Sequence, residues 1–566
     1  MEYLIFWLMA LGFIAAVIGV EIYRDRKKQK RFKESLHRDY GILHERRQDL
    51  ERFARINRYY LKHVQTGQID DVTWNDLDMD QIFHSMNHTF SAAGEEYLYH
   101  TLRSAGQSAE QLEGLEKWIR YFMDNEEERV YVQLQMAKLG YLGKYSLYDY
   151  IDNLGYLGER SNRRAILMDL LFIPLLACMP FFFSYALLGC IALMVFNIMT
   201  YFREKEEIEP YIISFQFIVK LLDAAERVEK VPGGSKDAFW EPILKEIKEK
   251  RAALAPLRRG SIWVASKNGS LSGNPLDLLM DYLKMTFHVD LIVFNKMLAF
   301  LQKNVQPVDD LNTLLGRLET SIAIGAWRTS LDRCNGYCVP KFLPEGEIAL
   351  CVEEGYHPLI EEPVKNTIET KQGVLLTGSN ASGKSTFLKM VAINAILAQT
   401  VHTCTASRYE AHIWRIYSSM SLRDDIESGD SYYMVEIKAL KRILTAVKEE
   451  GMPVLCFVDE VLRGTNTVER IAASTQILHS LYGKSVLCFA ATHDVELTEL
   501  LKEEYHNYHF EEEIIDGDVC FQYRLLPGKA TTRNAIKLLE IIGYDKDVIQ
   551  KAQERAERFV QTGLWS

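Results

Sequence analysis

Residues 374–389 read VLLTGSNASGKSTFLK, an apolar strand-like run, a glycine-rich turn and the start of a helical stretch. Gly378 and Gly383 frame the turn, and Lys384 and Ser385 follow it. Glycine allows the backbone to aim successive N–H groups inward at an anion. A lysine at this spacing brings a point charge to β- and γ-phosphates, and the hydroxyl beside it reaches a Mg²⁺ ion. A strand before and a helix after are the context such a turn requires. The expectation is a nucleotide cradle over Gly378, Ser379, Asn380, Ala381, Ser382, Gly383, Lys384, Ser385 and Thr386, taking ATP with Mg²⁺.

Two downstream runs have the same strand-like texture and end in polar groups. VLCFVDE, 454–460, ends in Asp459, suited to the Mg²⁺ water shell, and Glu460, suited to orient or activate a water. A solvated Asp-Glu pair is the alternative, and the apolar positions ahead of it argue for a buried strand. SVLCFAATHD, 485–494, ends in His493. An imidazole at the carboxyl end of a strand can meet a γ-phosphate or its water, or serve structurally. Between the cradle and the first of these runs lies SLRDDIESGDSYYMVEIKALKRIL, 421–444, whose Gly-Asp-Ser turn before a helix offers N–H groups and a hydroxyl to an anion. Short apolar runs alternating with helices argue an α/β domain over about 346–550. Ahead of it, 34–160 and 205–345 carry helical periodicity.

The formal charge of −11 argues against a broadly basic, nucleic-acid-binding surface, although a local basic channel is compatible with it. Nine cysteines are scattered, and Cys334 and Cys338 form a close pair without partners at zinc-ligand spacing. Asp76, Asp78 and Asp80 alternate without the Gly turn and closing Glu of a calcium loop. His84 and His88 stand one turn apart without a metalloprotease glutamate. Free thiols and a metal-free helical region are expected.

Two apolar stretches break the soluble pattern. Tyr3–Val20 is nearly continuous in apolar residues and is followed by RDRKKQKRFK, 24–33, with seven basic residues and one acidic. Charge after the apolar run reverses the order of a secretory signal, so an uncleaved anchor with its amino terminus outside is expected. Residues 165–202, AILMDLLFIPLLACMPFFFSYALLGCIALMVFNIMTYF, are too long for one ordinary crossing of about twenty residues and short for two. Arg160, Arg163 and Arg164 precede the run, and Arg203 and Lys205 follow it. Basic flanks at both ends favour two crossings turning near Pro180, with the cradle kept in the cytoplasm. Asp169 falls near the inner end of this hairpin. The expectation is a multi-pass protein of the cell membrane with about three crossings.

The ordered motifs resemble those of the MutS family of ATPases. GSNASGKST is similar to the family's GPNMGGKST, DDIESGDSYYMVEI to DDLASGQSTFMVEM, VDEVLRGTNT to LDEIGRGTST and FAATHDVEL to FATHYHEL. GYHPLIE, 355–361, resembles the RHP element ahead of the ATPase, and LLGRLETSIAIGAW with YCVPKFL extends a weaker likeness into the helical region. The resemblance implies an ABC/MutS-type P-loop fold, preceded by a helical core and lever. It implies that Asn380 and Lys384 face the phosphates, Ser385 and Asp459 the Mg²⁺, Glu460 the hydrolytic water and His493 the γ-phosphate side. It places His357 near the base or ribose and Ser431 on the nucleotide of a second subunit, hence a homodimer with composite sites.

The family's Phe-x-Glu mismatch-reading element has no counterpart, and 1–205 carry apolar segments instead. Ala381-Ser382 replace Met-Gly, Val461-Leu462 replace Ile-Gly and Tyr432-Tyr433 replace Thr-Phe. The resulting division is an anchor over 1–23, a cytoplasmic helical region over 24–164, a transmembrane hairpin over 165–202, a helical core and lever over 203–345, the ATPase domain over 346–550 and a tail over 551–566. A membrane-anchored ATPase that hydrolyses ATP to drive conformational change, with a protein partner, is the leading reading. A DNA-binding ATPase acting at the membrane and a transport-associated ATPase are the alternatives.

Overall fold

The computed structural model describes residues 19–20, 23–42, 50–234, 237–258, 275–344, 348–379, 382–420, 432–462, 465–515, 518–530, 536, 539 and 543–562. Most of the expected amino-terminal anchor, Asn380, Ala381 and Ser431 lie outside them. The chain divides into two compact units: one of 1–63, 88–100 and 118–326, the other of 64–87, 101–117 and 327–566.

The elements described in the first unit are helical. Helices α1 (Arg163–Leu170) and α2 (Phe172–Cys178) are followed by a short turn through Pro180 and by α3 (Phe183–Val228), a helix of 46 residues. Helices α4 (Pro275–Phe287) and α5 (Val289–Leu301) come later in the chain. The two halves of α3 differ in patterning. Ile208, Ile212, Phe215, Val219, Leu222 and Ala225 recur at three- and four-residue steps and are buried, the stripe that seats a helix on a core. They join Trp240, Phe294 and Leu315 in one apolar cluster. The half nearer the turn is apolar on all sides and mostly exposed, and α2 packs along it. A Cβ on Gly189 would stand 2.9 Å from Leu175 Cδ2, so the two arms meet closely there.

Among the described residues one helix, α3, is long and apolar enough to span a membrane. The first arm is broken at Leu171 into helices of eight and seven residues.

The second unit is built on strands β1 (Lys341–Phe342), β2 (Leu350–Gly355), β3 (Asn366–Thr370), β4 (Gly373–Thr377), β5 (Arg408–Ala411) and β6 (Arg415–Ser419). These are followed by β7 (Val454–Asp459), β8 (Val486–Ala491), β9 (Tyr505–His509), β10 (Glu512–Ile515), β11 (Asp518–Phe521) and β12 (Leu526–Pro527). A six-stranded sheet runs β12-β9-β4-β8-β7-β6, and a four-stranded sheet runs β1-β5-β2-β3. In the larger sheet β9, β4, β8, β7 and β6 are mutually parallel and β12 is antiparallel. Parallel strands are covered on both faces and so read as continuous apolar runs. Every residue of β4 and β8 is buried, and β7 is buried up to Asp459. Register pairs Val454 with Val486 and Asp459 with Ala491, which fixes where β7 and β8 end together. Helices α6 (Lys384–Thr400), α7 (Tyr432–Lys448) and α8 (Thr467–Ser480) complete the crossovers.

Residues 64–87 and 101–117, far upstream in sequence, fold with this sheet. The helix Asp71–Asp76 covers β6, an edge strand that would otherwise present unpaired backbone groups. Thr73 Oγ1 accepts from Ser418 N at 3.1 Å. The Asp76 carboxylate accepts from Ser418 Oγ at 2.7 Å and Met420 N at 2.9 Å. Glu116 takes both guanidinium nitrogens of buried Arg328, at 3.0 and 2.6 Å, and His402 Nδ1 lies 3.2 Å from it. Arg328 also donates to Thr403 Oγ1 and the His402 carbonyl. The expected tail at 551–566 begins inside a helix, Lys546–Thr562.

Removing one member of a buried ion pair leaves the other charge uncompensated, which costs about 3–5 kcal/mol. Glu116→Ala is therefore expected to destabilise the second unit by at least about 3 kcal/mol, while the double replacement Glu116→Leu, Arg328→Met costs less. Urea unfolding followed by tryptophan fluorescence measures this. A loss below about 1 kcal/mol for Glu116→Ala would show that the pair does not hold the upstream segment to the sheet.

Candidate functional site

The parallel strands deliver their polar ends to one edge of the sheet, the usual place for ligands in open α/β sheets. After β4 the chain turns through Gly378 at φ 146° and Gly383 at φ 106°. Both glycines are required here. A Cβ on Gly378 would lie 2.7 Å from the Phe510 carbonyl, and one on Gly383 would lie 3.0 Å from Tyr523. Helix α6 then opens with Lys384, so its positive end faces the turn. Lys384 is buried and donates from Nζ to the carbonyls of Gly378, at 2.9 Å, and Ser379, at 2.6 Å. Ser379 Oγ donates to Glu512 at 2.7 Å. The Ser382 hydroxyl is buried in the turn with no protein partner among the described residues.

Two pairs of expected site residues come together at this edge. Ser385 Oγ donates to Asp459 Oδ2, joining the first turn of α6 to the end of β7. Glu460 Oε1 lies 2.7 Å from His493 Nε2, joining the residues that follow β7 and β8. Glu460 adopts φ 61° and Leu462 φ 57°, conformations that non-glycine residues hold at a cost of about 1–3 kcal/mol each. The surroundings fix that turn: Glu460 N donates to the Ala491 carbonyl at 2.9 Å, and Leu462 N donates to buried Glu436 on α7. Arg470 on α8 grips Asp494, next to His493, at 2.8 and 2.5 Å.

A cavity of about 560 Å³ opens beside the turn, within the ordinary range for a small-molecule site. Its polar side is made by Ser382, Gly383, Lys384, Ser385, Thr386 and Glu460, and its apolar side by Ile360, Val364, Met390 and Tyr523. His357 lines the same cavity. Burial, with the Lys389 ammonium beside it, holds the His357 imidazole down at about 4. The ring is therefore neutral near pH 7. Its Nδ1 accepts from Leu359 N at 3.3 Å, which leaves the ring proton on Nε2. Asn366 closes the far wall by donating to the Tyr523 carbonyl and accepting from Leu525 N.

Gly378, Ser379, Ser382, Gly383, Lys384, Ser385 and Thr386 thus lie on one turn and helix start, with Asp459, Glu460 and His493 at the neighbouring strand ends. Asn380, Ala381 and Ser431 lie outside the described residues. Glu436, Arg470, Asp494, Asn366 and Tyr523 were not singled out from the sequence. Glu436 and Asp494 sit inside motifs quoted above, but as structural partners of backbone and arginine they carry no local signature. Among the described residues no cluster of three or more His, Cys, Asp or Glu forms a metal site.

The donor set fits a nucleotide with Mg²⁺. A hydroxyl and a carboxylate converge at Ser385 and Asp459, oxygen donors of the kind a hard cation takes. The unpartnered Ser382 hydroxyl and the Lys384 ammonium suit an anionic group in the turn.

A family model described as MutS domain V matches residues 374–560. The chain is 33% identical over 224 residues to the DNA mismatch repair protein MutS of Thermus thermophilus, covering 39% of this chain and 27% of that protein. It is 31% identical over 275 residues to the protein of the same name from Pseudothermotoga lettingae, covering 46% and 33% respectively. For the one from Natronomonas pharaonis the figures are 33% over 231 residues, 38% and 26%. The chain spans about a quarter to a third of the length of these relatives. Sequence motifs, sheet and family model agree on the carboxy-terminal part, and it is over residues 374–560 that the chain is similar to MutS proteins, through a match to their domain V.

Proposed function

We propose that the chain is a membrane-associated ATPase of MutS type, which hydrolyses ATP at sites completed by a second copy and uses the cycle to change conformation. The observation that carries the reading is the convergence of Ser385 with Asp459 and of Glu460 with His493 at one edge of a parallel sheet, beside a cavity of nucleotide size. Lys384 and the N–H groups of the turn bind the phosphates. Ser385 and Asp459 hold Mg²⁺, which when bound neutralises charge on the β- and γ-phosphates. Glu460 orients the attacking water and accepts its proton, and His493 fixes the Glu460 carboxylate from the γ-phosphate side. Neutral His357 faces the base or ribose.

Composite sites and the role of Ser431 across the dimer rest on the likeness of 424–437 to the family's motif, and membrane association rests on the two apolar stretches. ATP-driven closure of the dimer then acts as a switch: the nucleotide favours one arrangement and hydrolysis resets it. The relatives are named for DNA mismatch repair, but the likeness that carries the names lies in the carboxy-terminal part of this chain. Its net charge of −11 does not favour a broad nucleic-acid surface.

Two measurements test the proposal. Glu460→Gln keeps the shape and loses the base. It is expected to bind ATP with unchanged affinity, to lower turnover on the order of 10²- to 10⁴-fold and to accumulate as an ATP-bound dimer; wild-type turnover would remove Glu460 from the chemistry. ATP turnover of the full chain in nanodiscs is expected to stay unchanged when duplex, mismatched or branched DNA is added. Stimulation that fades as salt rises would instead support the DNA-handling alternative.

A further inference from the structure

We infer that the hairpin α1–α2–α3 enters one side of a lipid bilayer and turns back inside the hydrocarbon, instead of crossing twice. This deepens the membrane reading above and rests on it. The occupant is lipid because the exposed part of the hairpin is apolar all round. A soluble partner's docking face is a single stripe with a polar back, whereas α3 in this stretch exposes Leu187, Ile191, Leu188, Tyr185 and Phe196, which at about 100° per residue spread over roughly half the helix circumference, and 11% of its most apolar window is buried. No charged residue lies between Asp169 and Arg203.

Polar contacts set the depth. Asn197 donates to Asp169 at 3.2 Å and to the Thr286 carbonyl at 2.9 Å. His288 Nδ1 lies 3.4 Å from the same Asp169 carboxylate, and its Nε2 lies 3.1 Å from Thr200 Oγ1. One turn farther from the tip, Tyr201 donates to Asp290 at 2.8 Å. On the first arm, Phe172 meets Phe287, the last residue of α4, with ring centroids 5.4 Å apart. The polar cluster therefore marks the level where the helical unit ends and the bare hairpin begins. From Asn197 to Phe183 the helix rises about 21 Å at 1.5 Å per residue, and from Asp169 to Cys178 the first arm covers about 14 Å. A hydrocarbon core is about 30 Å thick.

The tip confirms where the hairpin stops. Inside hydrocarbon a turn's backbone groups need partners within the chain, and Phe181 N and Phe182 N both donate to the Cys178 carbonyl, at 3.1 and 2.9 Å. The side chains of the turn, Met179, Pro180, Phe181 and Phe182, are apolar, and Phe181 is 81% exposed. At the other end Arg163, Arg164 and Arg203 are exposed beside the polar cluster, where anionic headgroups would sit. The acidic residues Glu204, Glu206, Glu207 and Glu209 follow farther from the tip. Basic flanks on both arms accord with a re-entrant hairpin as well as with two crossings.

Native thiols supply the test. Cys178 is exposed at the tip, and Cys334 and Cys520 are exposed on the ATPase unit. The unaltered chain is placed in sealed phosphatidylethanolamine–phosphatidylglycerol vesicles with the ATPase domain outward. A membrane-impermeant maleimide is added outside or trapped in the lumen, and mass spectrometry locates the alkylated thiols. The expected result is alkylation of Cys334 and Cys520 from outside, and of Cys178 from neither face until detergent is added. Alkylation of Cys178 from the lumen would overturn the inference in favour of full crossings. Alkylation of Cys178 from outside without detergent, with release of the chain by an alkaline wash, would overturn the inference and the membrane reading together.

Discussion

Parallel register is the constraint on which the site depends. Because β4, β7 and β8 run the same way and are hydrogen-bonded in fixed register, the chain leaves all three at one edge. The turn after β4, the Asp-Glu step after β7 and the histidine after β8 then have nowhere else to go. Ser385 reaches Asp459 and Glu460 reaches His493 without a long side chain or an inserted loop. A slip of one residue between β7 and β8 would turn Asp459 toward the opposite face of the sheet. The apolar residues that bury these strands therefore also align the polar ones.

The strained turn at Glu460 extends this argument. Positive φ at both Glu460 and Leu462 is unfavourable in isolation, yet Glu436 beneath it and the β8 carbonyl beside it hold the backbone in place. Arg470 and Asp494 brace the histidine side in the same way. The carboxylate at the centre of the proposed chemistry is thus positioned by groups that do not themselves face the cavity.

The glycine-rich turn and the strands are legible in the sequence because their signals are local. Glycine, lysine and serine act at fixed spacing, and a strand buried on both faces is apolar throughout. The segments that wrap the sheet are not. Asp76 meets Ser418 across 342 residues and Glu116 meets Arg328 across 212, and nothing within a short window marks either partner. By their local pattern residues 64–87 and 101–117 belong to the helical region over 24–164, whereas they fold with the second unit. Asp169 shows the same limit. Alone it is an awkward charge in an apolar run, and its partners Asn197 and His288 stand 28 and 119 residues away. The length of the apolar run could not distinguish a hairpin that crosses from one that turns back, because the depth is set by those distant contacts.

The proposed function joins the domain V likeness to the apolar hairpin, as an ATPase whose work is done at a membrane. Its central claim is that the nucleotide site is completed by a second copy. The direct measurement is ATP turnover per chain across a wide range of protein concentration, in detergent with Mg²⁺. The account predicts turnover per chain that rises steeply with concentration and levels off as dimers saturate. Turnover that is the same at the lowest dilution as at the highest would contradict it, because the site would then be complete within one chain.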